Sequence, residues 1–433
     1  MTKPISFLRL GDVAEFRNGL NFSKASRGSG CTLIGVPDFQ DRFTPAYASL
    51  KEINPSGIAS EDDYLQKGDI IFVRSNGNRA LVGRSLYIDK QIRALFSGFC
   101  IRARIFSNDL DPRFCAYFTR SKHFKKSIAS SAGTNINNLN QDTLSDVLVP
   151  FFEKDRQVAI GELLGNIDAK IELNNRINEE LEGMAKLLYD FWFVQFDFPI
   201  TADQAAAMNA PGLEGKPYRS AGGKMVYNET LKREIPQGWK SGNLEHLGKV
   251  VGGSTPSTER PEYFTDNGTP WITPNDLSEN KGNRFIDRGA NDVTPEGMKA
   301  ASLKLLPKGT VLLSSRAPIG YLAIARKPVT TNQGFKSFVP QEKFSSDYVY
   351  FTLKHFMKLI KANASGSTFK EISGGTLKAV RIPFPDRELV PKFTKIVSSL
   401  SQQQSVLEQQ NEHLTELRDW LLPMLMNGQV TVG

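Results

Sequence analysis

Two long segments of the chain carry apolar residues at helical spacing, and asparagines interrupt both patterns. The seam positions alternate four and three apart, which is typical of a helix packed along one stripe in a coiled coil. They are Ile167, Ile171, Asn174, Asn178, Leu181, Ala185 and Leu188 in the first segment, and Leu400, Gln404, Leu407, Asn411, Leu414, Arg418 and Leu421 in the second. Asn178 and Asn411 occupy equivalent places. A polar seam residue costs stability and fixes register, so Asn174, Asn178 and Asn411 are predicted to set the alignment of these helices.

The similarity of the two segments belongs to a larger internal repeat. Residues 116–151, AYFTRSKHFKKSIASSAGTNINNLNQDTLSDVLVPF, parallel residues 349–384, VYFTLKHFMKLIKANASGSTFKEISGGTLKAVRIPF, without a gap. Farther upstream, Lys67-Gly68 and Gly83 return as Lys308-Gly309 and Gly320. The chain is therefore predicted to be a duplication in which each half is a globular domain followed by a long helix.

Within each half the pattern predicts a mixed α and β domain. The apolar runs GDIIFV and GTVLLS follow a Lys-Gly turn and are typical of strands. Residues 111–128 and 345–362 predict helices with an inward aromatic stripe. The proline in LVPF and in RIPF predicts a last strand at a sheet edge.

The two long helices are predicted to pair with each other. Each covers about 36 residues, or roughly 50 Å, which is too long to be buried under its own small domain. Two copies related by a pseudo-two-fold axis would run antiparallel and hold the globular domains apart. The alternative is that each helix joins an intermolecular coiled coil in a homodimer. The predicted fold is thus α+β, with the ranges 1–152 for the first globular domain, 153–199 for the central helix, 200–239 for a linker rich in Gly, Ala and Pro, 240–385 for the second globular domain and 386–428 for the C-terminal helix.

Charge and cysteine content narrow the class of partner and compartment. The formal net charge is +8, which favours an anionic partner, nucleic acid before a membrane surface. The three cysteines, Cys31, Cys100 and Cys115, form no CxxC pair, which argues against disulfides and structural zinc. The N-terminus lacks the apolar core of a signal peptide, and no apolar run approaches the ~20 residues that cross a bilayer. We therefore expect a soluble cytoplasmic protein.

Signatures of catalysis are weak throughout the sequence. It contains no GxxxxGK[ST] loop, no GxGxxG after a strand and no GxSxG. Asp168 and Lys170 faintly resemble a nuclease motif, but they lie on a predicted helix where solvated charges explain them better. The four histidines are isolated from one another, which favours ordinary surface roles over metal ligation. The sequence predicts a binding protein with no catalytic residue, no metal and no cofactor of its own.

Polar, basic, glycine-containing loops recur at matching places in the two halves. Their Arg, Lys, Asn, Ser and Thr side chains are the types that reach phosphates and base edges, although any single one is equally typical of a solvated surface. The predicted DNA contacts are Lys24, Arg27, Arg74, Asn76, Arg79, Arg84, Thr134 and Asn135 in the first half, and Thr255, Ser257, Arg260, Lys281, Arg284, Arg316, Ser367, Thr368 and Lys370 in the second.

With these features in place, the sequence resembles the DNA-specificity subunits of type I restriction-modification systems over essentially its whole length. The resemblance rests on the order of domain, helix, domain, helix. It also rests on the strings GGSTPST, WITPNDL and SSRAPIGYLAIA, on KPYRSAGGKMVYNETLKREIPQGW before the second domain, and on LRDWLLPMLMNGQV near the end.

The resemblance implies a function for each part. Each globular domain would be a target-recognition domain that reads one half of a bipartite, asymmetric site in double-stranded DNA. The helices would set the gap between the half-sites and dock two methyltransferase (modification) subunits, which carry S-adenosylmethionine and methylate adenine. A separate restriction subunit would carry the ATP-driven translocase and nuclease, so this chain would be non-catalytic.

Two other classes of protein compete with this interpretation. A free-standing sequence-specific DNA-binding regulator would bind its site tightly without partners. A nuclease with an unfamiliar motif would cleave DNA with a metal and lose activity when Asp168 or Lys170 is replaced. Neither alternative accounts for both the duplication and the strings before the second domain.

Overall fold

The computed structural model describes residues 6–23, 26–40, 42–131, 138–316, 318–365, 370–386 and 388–432, without the side chains of Arg27, Ser130 and Ser131. They form two compact units: unit 1 is Met1–Leu173 with Asn411–Gly433, and unit 2 is Asn174–Gln410. The division passes through both long helices, so each unit combines one globular half with a portion of each helix.

Unit 1 is built on three small sheets. Its strands are β1 (Ser6–Arg9), β2 (Ala14–Asn18), β3 (Arg27–Ile34), β4 (Lys51–Ile53), β5 (Ile70–Val73), β6 (Ser85–Tyr87), β7 (Ala94–Phe96), β8 (Cys100–Ile105) and β9 (Leu148–Phe151). Its helices are α1 (Leu10–Val13), α2 (Pro112–Phe118), α3 (Lys122–Ser131), α4 (Gln141–Ser145) and α5 (Lys154–Tyr189), of which α5 continues into unit 2. The strand orders are β2-β8-β5-β6 and β4-β3-β7, and β1 pairs with β9.

Unit 2 repeats this plan with additions. Its strands are β10 (Met225–Asn228), β11 (Arg233–Pro236), β12 (Lys240–Asn243), β13 (Gly248–Gly252), β14 (Phe264–Thr265), β15 (Thr269–Ile272), β16 (Phe285–Ile286), β17 (Asn291–Val293), β18 (Val311–Leu313), β19 (Leu322–Ala325), β20 (Thr330–Thr331), β21 (Lys336–Pro340) and β22 (Arg381–Phe384). Its helices are α6 (Ala202–Ala207), α7 (Pro274–Glu279), α8 (Pro295–Ala300), α9 (Ser346–His355), α10 (Met357–Ala362), α11 (Gly374–Ala379) and α12 (Leu389–Met426).

The strand orders confirm the predicted internal repeat. The order β13-β21-β18-β19 in unit 2 matches β2-β8-β5-β6 in unit 1, and unit 2 adds β16 beside β19. The predicted strands GDIIFV and GTVLLS are β5 and β18. In β5 successive residues pack into cores on opposite faces of the sheet, which is why the whole run is apolar. The predicted last strands are β9 and β22, and each pairs with a single neighbour, β1 or β12.

The aromatic stripes of the predicted helices do face inward, but each predicted helix is broken in two. Residues 111–128 form α2 and α3, and residues 345–362 form α9 and α10. The aromatic side chains that pack into the cores are Phe114, Tyr117, Phe118 and Phe124 in unit 1 and Tyr348, Tyr350 and Phe351 in unit 2.

The long helices α5 and α12 pair with each other in both units, and they run antiparallel. In unit 1, Arg418 Nη1 donates to Asp168 Oδ1 at 2.8 Å, and Arg156 donates to the Val430 carbonyl. In unit 2, Asn174 lies against Gln410, and the Tyr189 and Phe393 rings are 6.1 Å apart. The pairing is internal to the chain, as predicted, and does not require a second copy.

The composition predicts a linker over residues 200–239, but these residues are folded as part of unit 2. Helix α6 and the β10–β11 hairpin lie in this segment. Tyr218 and Trp239 both stack on Phe198, with ring centroids 4.7 and 5.6 Å away. The Gly, Ala and Pro content of this segment indicated a linker. Its buried aromatic residues gave no contrary signal, because they are widely spaced and follow no helical or strand period.

Candidate nucleic-acid interface

In unit 1, three loops meet at the end of β5, and two of them were predicted to contact DNA. The Arg74 N–H donates to the Phe99 carbonyl at 2.8 Å, and the Leu139 N–H donates to the Arg74 carbonyl at 2.8 Å. Ser75 and Asn138 form an isolated β-bridge. The loop after β5, the turn before β8 and the segment before α4 are therefore held together by backbone hydrogen bonds.

Unit 2 has the same construction at the end of β18. The Ser315 N–H donates to the Gly334 carbonyl at 2.7 Å, and the Ile372 N–H donates to the Ser315 carbonyl at 3.0 Å. Arg316 and Glu371 form the bridge that corresponds to Ser75 and Asn138. The same three loops converge in each half although their side chains differ.

A glycine fixes each loop against a helix. Gly83 and Gly320 have φ values of +79° and +106°, which favour glycine. A Cβ on Gly83 would lie 2.4 Å from Ile128 in α3, and one on Gly320 would lie 2.7 Å from Lys361 in α10. The loop geometry is thus set by close approach to a side chain of the neighbouring helix.

A further polar loop approaches the same region in each unit. A Cβ on Gly19 would lie 2.2 Å from the Ser97 carbonyl oxygen, and one on Gly253 would lie 2.1 Å from that of Thr331. In unit 2 the Thr255 hydroxyl donates to the Gln333 side chain. This contact brings the predicted residue Thr255 next to the segment that also supports Ser315.

The described predicted residues of unit 1 divide into exposed side chains and side chains that shape the loop. Arg79 is exposed, while Arg74 and Asn76 are half-buried. The Asn76 side chain accepts from the Asn78 N–H at 2.8 Å, and Arg84 Nη1 donates to the Gln40 carbonyl at 2.9 Å. Lys24, Thr134 and Asn135 lie outside the described residues, as does the side chain of Arg27.

In unit 2 most of the described predicted residues lie at the surface. Ser257, Lys281 and Lys370 are exposed, and Arg316 is half-buried. Arg260 is exposed and pairs with Glu262 at 3.2 Å. Ser367 and Thr368 lie outside the described residues.

The structure corrects the prediction that Arg284 contacts DNA, because its side chain faces the interior and not the surface. Its side chain is 1% exposed and donates to Asp347. Its backbone N–H and that of Phe285 donate to the Glu408 carboxylate of α12 at 2.8 and 3.0 Å. The polar string ENKGNRF suggested a surface loop, but β16 begins at Phe285 and turns Arg284 inward. Arg284 therefore joins α12 to the globular half of unit 2.

Sequence reasoning missed a basic surface beside the loops. Residues 112–141 and 348–370 contain no Asp or Glu at all, although both carry several lysines. Lys358 and Lys361 of α10 are exposed, and the Lys361 Nζ lies 3.1 Å from where a Cβ on Gly320 would be. The absence of acidic residues from both copies was the signal that could have found it.

Asp168, which resembles part of a nuclease motif, has a structural role. Asp168 accepts hydrogen bonds from Tyr117 and Arg418 at 2.7 and 2.8 Å. Burial raises the pKa of the Cys100 and Cys115 thiols to about 12. Within the described part of the chain, no three His, Cys, Asp or Glu side chains are grouped to hold a metal ion. Nor does any helix of that part have the length and apolar character to cross a membrane.

Comparisons with known proteins identify the family of both halves. The family described as "Type I restriction modification DNA specificity domain" matches residues 3–183 and again 236–416. The specificity subunit of the type I restriction enzyme HindI from Haemophilus influenzae is 27% identical over 413 residues, which cover 84% of this chain and 87% of that protein. The MjaIX specificity subunit from Methanocaldococcus jannaschii is 42% identical over 193 residues, 44% of either chain, so that match spans less than half of the relative.

A solved structure shares the fold over nearly the full length. The crystal structure of the type I restriction-modification system S subunit from M. genitalium superimposes with a TM-score of 0.58 at 16% identity, covering 98% of this chain and 97% of that one. The two matched regions each contain one set of converging loops and most of one long helix. The chain therefore belongs to the type I restriction-modification DNA specificity family.

Proposed function

We propose that this chain is the DNA-specificity subunit of a type I restriction-modification complex. The observation that carries the proposal is the double family match, which falls on two halves with the same converging loops. Each set of loops reads one half of a bipartite site in double-stranded DNA. Backbone bonds position the loops, and the side chains that they carry select the bases.

The two half-sites differ in sequence because the two sets of loops differ. The loop after β5 reads RSNGNRALVG, whereas the loop after β18 reads SSRAPIG. Arg74 and Asn76 in unit 1 and Arg316 in unit 2 are the foremost candidates for base contacts. The lysines of α3 and α10 lie beside them and supply phosphate contacts that do not depend on sequence.

Exposed apolar side chains on the long helices provide the docking surfaces for the modification subunits. Met184 and Leu187 of α5 are 55% and 68% exposed, and the equivalent Leu417 and Trp420 of α12 are 44% and 55% exposed. Large apolar side chains exposed in pairs on a helix are typical of protein interfaces. The duplication gives each unit one such pair, so the chain binds two copies of the same partner.

The asparagines of the helix seam act as register residues. Asn174 and Asn178 are buried in unit 2, with 0% and 4% of their surface exposed. Buried amides cost stability, and their retention is explained if they select one alignment of α5 against α12. A fixed alignment gives a fixed gap between the two half-sites.

The chemistry belongs to the partner subunits. The modification subunits bind S-adenosylmethionine and methylate adenine, and the restriction subunit carries the translocase and nuclease, while this chain directs both to the site. Since the substrate is cellular DNA, the complex works in the cytoplasm.

The test is single-molecule mapping of N6-methyladenine in cells that express the partner modification subunit, with and without this chain. A split motif with a fixed gap is expected only when the chain is present. An unchanged methylation pattern, with the modification subunit expressed, would contradict the proposal. That result, together with tight site-specific binding by the chain alone, would favour a free-standing regulator.

A further inference from the structure

One large aromatic side chain lies exposed among the converging loops of unit 1. Phe99 is 58% exposed, whereas its neighbour Cys100 is fully buried. The Phe99 carbonyl accepts a hydrogen bond from the Arg74 N–H at 2.8 Å, and the Cys100 N–H donates to the Ser97 carbonyl at 2.8 Å. The Ser97–Cys100 turn and the loop after β5 therefore hold the backbone of Phe99 in place and leave its ring at the surface.

The surroundings of this ring are polar and basic. Its backbone is bonded to Arg74, and the Ser75–Asn138 bridge closes the same cluster of loops. Asn21 lies on the other side of the turn, where its side chain would block a Cβ on Gly98 at 2.2 Å. An exposed aromatic ring among polar loops, one of which carries Arg74, is suited to the face of a nucleic-acid base, which an apolar wedge contacts when it enters a base step.

Unit 2 has no equivalent side chain, and the strand registers show why. In unit 1 Ile70 of β5 pairs with Ala103 of β8, and in unit 2 Val311 of β18 pairs with Phe338 of β21. Ala103 and Phe338 therefore occupy equivalent positions. Three residues before them, Cys100 corresponds to Phe335, which is also fully buried, and one residue earlier Phe99 corresponds to Gly334. At this strand position, therefore, unit 1 has an exposed ring and unit 2 has a glycine.

We propose that Phe99 inserts at one base step of the half-site read by unit 1 and unstacks it, a contact for which Gly334 offers no side chain in unit 2. This inference rests on the proposed DNA-specificity function and adds a mechanism to it. The deformation cost depends on the sequence of the step, so Phe99 contributes to specificity without a hydrogen bond to a base.

The experiment uses the full chain assembled with its modification subunits on duplexes that contain the mapped site. The fluorescent adenine analogue 2-aminopurine is placed at successive positions in each half-site, except at the methylated adenines, which a methyltransferase unstacks by flipping. We expect fluorescence to rise several-fold at one step in the half-site of unit 1. Phe99→Ala should abolish this rise and weaken binding about tenfold, whereas Phe99→Trp should retain it.

Phe106→Ala is the matched control. Phe106 is 66% exposed and lies at the opposite end of β8, about 20 Å along the strand from Phe99, so its loss should change nothing. If Phe99→Ala binds the site and gives the wild-type fluorescence profile, the wedge is wrong and the specificity function stands. If the wild-type complex does not prefer the mapped site to a scrambled duplex, it is the specificity function that fails.

Discussion

The two units hold their recognition loops in the same way but attach the long helices differently. At the end of β5 and of β18 the same backbone bonds join the same three loops. In unit 1 the helix contact runs through Asp168, which joins Tyr117 and Arg418. In unit 2 it runs through the fully buried Glu408. The duplication has thus preserved what positions the loops and allowed the side chains that lock the helices to diverge.

Of the two contacts, the one through Glu408 carries the larger desolvation cost, because it buries a charged group completely. Its carboxylate accepts the N–H groups of Arg284 and Phe285, and it pairs with Arg326 at 2.9 Å. Burial raises the pKa of the Glu408 carboxyl above its usual range, and the two N–H groups and the Arg326 guanidinium oppose that rise. This network gives hydrogen-bond partners to two backbone N–H groups at the edge of β16, a strand that has no counterpart among the described residues of unit 1.

The largest effect is expected from breaking this network. Glu408→Ala leaves Arg326 and two backbone N–H groups without their buried partner, so the free energy of unfolding should fall by about 3–5 kcal/mol. Urea unfolding followed by tryptophan fluorescence measures it, since three of the four tryptophans lie in unit 2. Asn175→Ala, the equivalent and exposed position on α5, is the control and should change little. Equal losses from the two variants would show that the buried network contributes no more than an exposed position on the other long helix.

Each long helix should bind one modification subunit independently of the other helix. Introducing two charges with Leu417→Asp and Trp420→Asp should remove roughly 3 kcal/mol of apolar burial at one docking surface, about a 100-fold loss of affinity there. Native mass spectrometry should then show one modification subunit per chain in place of two. Met184→Asp with Leu187→Asp should give the same result, and Gln409→Asp, at an exposed polar position, should leave both partners bound. Loss of both partners from either double variant would argue against two independent surfaces.

Recognition should also be separable by unit. Arg316→Ala should weaken or relax recognition of one half-site by about 1–3 kcal/mol, and Arg74→Ala should act on the other half-site. Binding to duplexes with substitutions in one half-site at a time measures this. Lys343→Ala, an exposed position before α9, serves as the control. Equal damage to both half-sites by Arg316→Ala would refute modular reading.

A smaller effect, of opposite sign, is expected in the helix seam. Among the described residues, the buried Asn178 amide has no hydrogen-bond partner for either its nitrogen or its oxygen. Asn178→Leu should therefore raise the free energy of unfolding by about 1–2 kcal/mol. Asn411→Leu, at the equivalent half-buried position, should raise it less. A loss of stability in Asn178→Leu would show that the amide contributes more than register.

The sequence predicted the parts of the fold in which apolar residues recur at a regular spacing. The seam of α5 and α12 and the apolar strands β5 and β18 could be recognised because helices and sheets bury residues at fixed spacing. The folded segment 200–239 was missed, since its aromatic stack joins residues far apart in the chain.

Side-chain direction was the other limit on prediction. By residue type, Gly98-Phe99 aligns with Gly334-Phe335. The strand pairing aligns Phe99 with Gly334 instead, so the alignment by residue type is wrong by one position and exchanges the buried and exposed faces of the strand. The one-residue difference became visible only from the strand pairing. Arg284 was assigned to DNA for a similar reason, because a polar string does not show which of its members turns inward.

We propose that the loops read the half-sites while the paired helices set the gap between them. The most direct test inserts one seven-residue repeat after Arg176 in α5 and another at the equivalent place after Gln409 in α12, and then maps N6-methyladenine in cells. Seven residues lengthen a helix by about 10 Å, so the gap should grow by about three base pairs while both half-sites stay the same. A motif with altered half-sites and an unchanged gap would show that the helices do not set the gap.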